Sequence, residues 1–445
     1  LNSPRSRRLR RALHPVRRAL LRLDAPWRHL VVAAITGALG ALAVHAFRLL
    51  LFGMESVIVG AHEGHLVAAA RRLAPEVRVL APALGAFAAG LMLWLSERGR
   101  APEPARHRGD YIEAVAIGNG RLDVRAGLLK VAASLLVVST GGAVGREGAM
   151  VLLAAMLGST LGRGLGRSVD LRLVVSCGAA AGLAAAYQAP LAGAVFVAEI
   201  LLGSLALAQL GPVVVAAVMA YGLTVALGER SVLFAVPAVP MPQVAQVAAM
   251  MGLGLLGGVA GATLLSWLRA ARALYVRARL PLPLAFAVGG LVVGLLSLWR
   301  PEVWGNGYSS IESQLTAPAS WAVLAIVLGL KLMAIAATTG SGAPGGVFTP
   351  TLFVGAAAGS LAAAALATLG VSSVAEPVYA VVGMAIALAA TTHAPVMAAI
   401  MVVEMTGQYA LLPVLLPATV LATLVSQRLS PQSVYGLGGG GDTAR

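Results

Sequence analysis

The chain has 445 residues, 58% of them hydrophobic and only 11% charged, with a mean hydropathy of +0.85. So few charges cannot cover the surface of a water-soluble domain, so the sequence is that of an all-α polytopic membrane protein. The formal net charge of +15 would suggest nucleic acid in a soluble protein, but nine arginines between Arg5 and Arg28 carry much of it. A basic segment resting on anionic lipid, with no nucleic-acid partner, is the expectation.

That basic segment occupies residues 1–28, and by the positive-inside rule it lies in the cytoplasm. The apolar run from about Leu30 to Phe52 is too long for the core of a secretory signal and is expected to span the membrane. A second run covers about 79–96. Between the two lies a polar connection with Glu55, His62, Glu63 and His65, read as a loop and not as a metal site. The loop from Glu97 to Arg108 is rich in arginine and therefore cytoplasmic again.

After Gly109-Asp110-Tyr111-Ile112-Glu113 a helix is expected to run to about Thr140. Apolar segments follow at about 149–162, 171–186, 189–202 and 207–227. Several are shorter than the roughly twenty residues that cross the hydrocarbon core. Short, glycine- and proline-broken segments point to a binding site near the membrane midplane. Residues 229–245, proline-rich at Pro237, Pro240 and Pro242, link two halves. Further spans are expected at about 246–268, 283–299, 320–337, 347–369, 377–391, 394–406 and 410–427. A glycine-rich tail at 436–445 is expected to be disordered, and too few residues remain for an appended soluble domain. The single cysteine, Cys177, excludes an intrachain disulfide and reads as a small buried hydrophobe. No metal or other cofactor is implied.

The halves, 29–228 and 246–435, repeat. Pro190 leads to Glu199 over the same interval by which Pro395 leads to Glu404, and Gly142-Ala143-Val144-Gly145 answers Gly342-Ala343-Pro344-Gly345. A shared offset of about 200 residues indicates an internal duplication with its site at the repeat interface.

Two loops carry the chemistry. Gly145-Arg146-Glu147-Gly148 and Gly345-Gly346-Val347-Phe348-Thr349-Pro350 each stand between apolar runs, where a membrane helix breaks and restarts. A helix start presents unpaired N–H groups and a partial positive charge, which suits an anion. Oriented dipoles bind an anion loosely enough to release it, where a full buried charge would not. Glu147, ionised at such a start, would compete with the anion for the same pocket and yield when protonated. That is a gate, and an ionisable group at membrane depth is read as functional. Ser139, Ser176, His393 and Glu404 show no catalytic spacing, so no enzyme is expected. His393 is read as a hydrogen-bonding group at a helix end.

These motifs, with Ala189-Pro190-Leu191-Ala192-Gly193 and Glu404-Met405-Thr406, resemble those of the CLC family of chloride channels and proton-coupled chloride antiporters. The likeness runs from about residue 28 to 436 and is stronger still to a bacterial branch whose motifs read like Asp110-Tyr111-Ile112-Glu113-Ala114. The resemblance implies an inverted repeat of two halves whose broken helices meet at a midplane anion site. It implies a homodimer in the bacterial inner membrane with one pore per subunit, contacts falling at about 191–202, 207–227, 394–406 and 410–427. It implies Glu147 as the external gate, chloride bound by the amides of Val347 and Phe348 beside Gly145, Arg146, Gly148 and Gly346, and Tyr435 with its hydroxyl on the central anion. Chloride would move passively or in exchange for protons; the alternative is a transporter selective for fluoride or another small anion.

Two positions depart from the family. Asp110 stands where the better-known antiporters have a serine that donates to chloride. Their inner proton-relay glutamate aligns with Ile200, and the carboxylate here is Glu199. One residue on an α-helix turns a side chain by about 100 degrees, so Glu199 points elsewhere unless the helix leaves α geometry. Asp110, Glu113, Glu147 and Glu199 are the candidates for a proton path.

Overall fold

The computed structural model describes residues 14–61, 65–98, 111–116, 118–203, 207–229, 231–236, 244–316, 319–370 and 376–437. Asp110, His62, Glu63, the three linker prolines, most of the arginine-rich loop at 99–108, the leader before His14 and the glycines from 438 onward lie outside them. The described residues are mostly helical, and no strand forms among them. In chain order the helices are α1 His14–Leu21, α2 Ala25–Val59, α3 Leu66–Arg72, α4 Pro75–Arg98, α5 Tyr111–Ala116, α6 Val124–Ser139, α7 Glu147–Leu165, α8 Leu171–Tyr187 and α9 Pro190–Phe196. There follow α10 Leu207–Ala226, α11 Val244–Ala278, α12 Leu282–Ser297, α13 Tyr308–Thr316, α14 Trp321–Ser341, α15 Phe348–Thr368, α16 Glu376–Thr392, α17 Pro395–Thr406 and α18 Leu412–Leu429. Among the described residues eight helices are long and apolar enough to cross a membrane, and α8, α9 with its continuation to Leu202, α12, α16 and α17 are apolar but shorter.

Three expectations need correction. The segment expected as one helix up to Thr140 is two, because Gly118 and Gly120 break it and Asp123 restarts it, its carboxylate accepting from the backbone N–H of Arg125 at 2.9 Å and of Ala126 at 3.2 Å. Glu55 is not in a polar connection; α2 continues through it to Val59. α11 continues well beyond residue 268, since Arg269 and Arg272 find partners in Ser430 Oγ at 2.9 Å and the Gly340 carbonyl at 3.2 Å. Short helices α3 and α13 were not foreseen.

The chain forms two compact units. The first takes in the described residues of Leu1–Arg48, Ala101–Val131 and Ala149–Ser231. Its centre is α8, buried from Leu173 to Tyr187, which its small residues permit by letting neighbouring backbones come close. The carbonyls at the end of α8 have no intrahelical partner. Arg48, on α2, donates to those of Ala185 and Ala186 at 2.8 and 3.0 Å and pairs with Glu229 at 2.7 Å.

The second unit takes in the described residues of Leu49–Arg100, Ala132–Gly148 and Val232–Arg445. Both glycine loops therefore belong to it. Within it α15 and α16 approach backbone to backbone through Gly355, Gly359 and Gly383, where a side chain on Gly383 would strike the Gly355 carbonyl. Val59, Leu66, Ala70, Val293 and Trp304 share a buried apolar cluster.

The duplication shows in local geometry. Gln188 and His393 both take left-handed conformations, at φ 57° and 60°. Ala189 and Ala394 follow at φ −130°, ψ 79° and φ −125°, ψ 80°, and Pro190 and Pro395 open the next helix. The His393 backbone N–H donates to Ala389 O at 2.9 Å, a bond any residue at that position makes. Its ring Nε2 has no such partner among the described residues.

Candidate functional site

α6 ends at a left-handed Gly141, φ 100°, with the Gly142 N–H returning to Val137 O at 2.9 Å. α14 ends at a left-handed Gly342, φ 89°, with its N–H on Thr339 O at 3.0 Å. Glycine tolerates that conformation without steric cost. Four residues beyond each turn stand Gly145 and Gly346, which form an isolated antiparallel bridge. Two residues further the chain re-enters a helix, at Glu147 and at Phe348. The structural partners are thus Gly141 with Gly342, one residue from the Gly142–Gly342 pairing the sequence suggested.

The bridge lies beside two helix starts. Gly148, in the first turn of α7, lies against Gly346, since a methyl added at Gly148 would stand 3.7 Å from the Gly346 Cα and N. Val347 is the residue that caps α15, at φ −106°, ψ 1°. The Phe348 ring packs against Tyr435, centroids 5.9 Å apart, Tyr435 being carried by the short turn Val434–Leu437. Of the expected anion-binding residues, Gly145, Arg146, Gly148, Gly346, Val347, Phe348 and Tyr435 all belong to this one compact unit, and so does Glu147. Glu113 and Glu199 belong to the other unit, and Asp110 is outside the described residues.

Glu147 is only 2% exposed. Asn306 Nδ2 donates to its Oε1 at 3.1 Å, while Oε2 lies against Gly145 with no hydrogen-bond partner among the described residues. A buried carboxylate with an unmatched oxygen is costly unless a cation, a proton or a change of place relieves it. The neighbouring Arg146 does not supply that relief directly. Its guanidinium stands 5.6 Å from the Phe52 ring centroid and 5.3 Å from that of Tyr308.

Three residues were missed from sequence. Glu55, 1% exposed inside an apolar helix, carried the signal of an intramembrane ionisable group, but its place in the helix was not recognised. Lys331, 0% exposed, lies in an apolar run with nothing local to name its partners; its side-chain nitrogen donates to the carbonyls of Val303, Trp304 and Gly305 at 2.8, 3.2 and 2.7 Å. Asn306, flanked by glycines, offered no local sign of a partner 159 residues away.

Glu199 lies in a π-helical turn, Val197–Leu202, that continues α9. The 100-degree argument against it assumed an unbroken α-helix, and the wider turn shifts the register just there.

An all-helical membrane protein whose two broken helices restart on either side of a glycine bridge, with a buried carboxylate at one restart, is of the class of broken-helix membrane transport proteins. The chain belongs to the voltage gated chloride channel (CLC) family, whose model matches residues 84–427. Proteins named voltage-gated ClC-type chloride channel ClcB, from Escherichia coli O81 (strain ED1a) and Escherichia coli O17:K52:H18 (strain UMN026 / ExPEC), are 44% identical to it over 416 residues, 92% of this chain and 98% of theirs. Within the family it is therefore a bacterial, ClcB-like member. A slow cyanobacterial Cl-/H+ antiporter of known structure is 25% identical, with a TM-score of 0.78 over 92% of this chain and 96% of that one. A CLC-type fluoride/proton antiporter, 22% identical, has a TM-score of 0.72 over 92% and 97% and shares the fold.

Proposed function

We propose that this protein carries chloride across the bacterial inner membrane, with Glu147 as its gate and the restart of α15 at Val347 and Phe348 as its anion-binding end. The observation that carries the reading is Glu147 itself, a buried carboxylate at a helix start, one oxygen unmatched, beside the glycine bridge that holds the second restart. An ionised carboxylate there meets the same electrostatic demand as a chloride ion, so the two exclude each other. Tyr435, packed on Phe348, borders the same region, and Gly145, Arg146, Gly148 and Gly346 shape it. The names of the relatives support chloride as the solute.

The protein acts as a homodimer with its N-terminus in the cytoplasm, without cofactor or metal, and its other partners are membrane lipid and, if coupled, protons. Asp110, Glu113 and Glu199 serve with Glu147 as the proton path of a coupled exchange. The π turn at Glu199 supports keeping it in that set. Reconstituted into liposomes, the protein should release chloride down its gradient. Simultaneous recording of proton uptake separates a fixed exchange ratio from passive flux. A panel of chloride, bromide, nitrate and fluoride tests the solute: fluoride flux far above chloride flux overturns chloride as the substrate.

A further inference from the structure

The segment Glu302–Tyr308 is gripped on several sides. Lys331 donates to four successive carbonyls, those of Glu302, Val303, Trp304 and Gly305. The Gly305 N–H donates to Gly141 O at 3.0 Å, at the turn that begins the first glycine loop. Arg71 pairs with Glu302 at 2.7 Å. Gly305 and Gly307 take left-handed conformations, φ 67° and 104°, so the chain turns sharply on both sides of Asn306 and presents it at the apex. The orientation of Asn306 is also fixed. Its Oδ1 accepts the Tyr308 N–H at 3.3 Å, which leaves the amide Nδ2 to face Glu147 Oε1 at 3.1 Å.

We infer that Asn306 is a positioning residue for Glu147, a latch that holds the ionised carboxylate in its retained place and so sets how readily an anion displaces it. This rests on the reading of Glu147 as the gate. The groups around the carboxylate favour a neutral latch. Arg146 faces Phe52 and Tyr308, and a direct cation on Glu147 would hold it too firmly to yield. An amide stabilises the charged form modestly and loses its bond when the carboxylate swings away. The latch also joins the gate to the Lys331-held segment, which keeps the donor still while the carboxylate moves.

The test is chloride flux from liposomes containing the full-length protein, measured over a range of chloride concentrations. Asn306→Ala should lower the half-saturating chloride about tenfold while sparing the maximal flux, the scale of one hydrogen bond to a charged group. Asn306→Ser keeps a polar turn residue but is too short to span the contact, and it should behave as the alanine variant, which guards against a folding artefact. On a Glu147→Ala background both should change nothing. The inference is overturned if Asn306→Ala lowers the maximal flux equally in both backgrounds, the mark of a purely structural loop, or leaves half-saturation unmoved. If Glu147→Ala alone alters neither flux nor its acid dependence, the gate reading itself fails and the latch falls with it.

Discussion

Gly145 and Gly346 hydrogen-bond each other in both directions, the Gly145 N–H to Gly346 O at 2.6 Å and the Gly346 N–H to Gly145 O at 2.7 Å. This pair takes backbone groups that a broken helix would leave without partners and uses them to fix one restart against the other. A methyl group on Gly145 would overlap Glu147 Oε2 and stand 3.1 Å from Gly346 O. The carboxylate is the flexible party and must give way. Gly145→Ala should therefore free the gate, raising chloride flux at neutral pH several-fold toward that of a variant without the carboxylate, with a small loss of thermal stability. Flux indistinguishable from the native protein would show that the carboxylate does not rest over Gly145.

Glu147→Gln removes the charge that competes with the anion while nearly keeping its shape. A proton on the native carboxyl would do the same, so native flux should rise as pH falls. The glutamine variant should be fast at neutral pH and flat in pH. Liposome flux between mildly acidic and mildly alkaline buffers measures both. A variant that keeps the native pH profile would place the acid-sensitive group elsewhere.

Lys331 is a structural donor. With 0% exposure it satisfies carbonyls that neither α14 nor the turn at Pro301–Val303 could serve. Lys331→Met has a similar length but no donor, and strands those oxygens. A loss of about 2–4 kcal/mol is expected, less than the sum of the separate bonds because the side-chain nitrogen's own burial penalty disappears too. Thermal unfolding in detergent should show a clearly lowered midpoint, and an unchanged one would mean that water replaces the side-chain nitrogen.

Gly383 and Gly53 make a matched pair for the packing argument. A Cβ on Gly383 would run into the Gly355 carbonyl and stand 3.0 Å from the Gly359 Cα, while one on Gly53 meets nothing within 4 Å. Gly383→Val should force α15 and α16 apart, at a cost of about 3 kcal/mol or more by the scale of overpacked cores. Gly53→Val should stay within about 0.5 kcal/mol of native. Equal effects in the same detergent unfolding assay would remove helix proximity as the reason for glycine at 383.

The sequence by itself determined the class, most of the apolar segments, the repeated Ala-Pro turns and the two glycine loops. Each is written in local features: hydropathy summed over a segment, turn residues at fixed spacing, and a glutamate at a helix start. Gln188 and His393 repeat one turn because Ala-Pro follows both, which is legible without coordinates. It misjudged the stretch before Thr140, where Asp123 restarts a helix that hydropathy alone reads as continuous, and it placed Glu55 in a loop because a charge interrupts an apolar run in the same way a loop does.

Only the tertiary structure decided which groups meet. That Gly145 faces Gly346, that Arg48 closes the end of α8, that Lys331 serves the carbonyls of the segment after α12, and that Asn306 reaches Glu147 are contacts between distant parts of the chain. A hydrogen bond depends on where two backbones are brought by all the packing between them, and no periodicity in either segment encodes its partner.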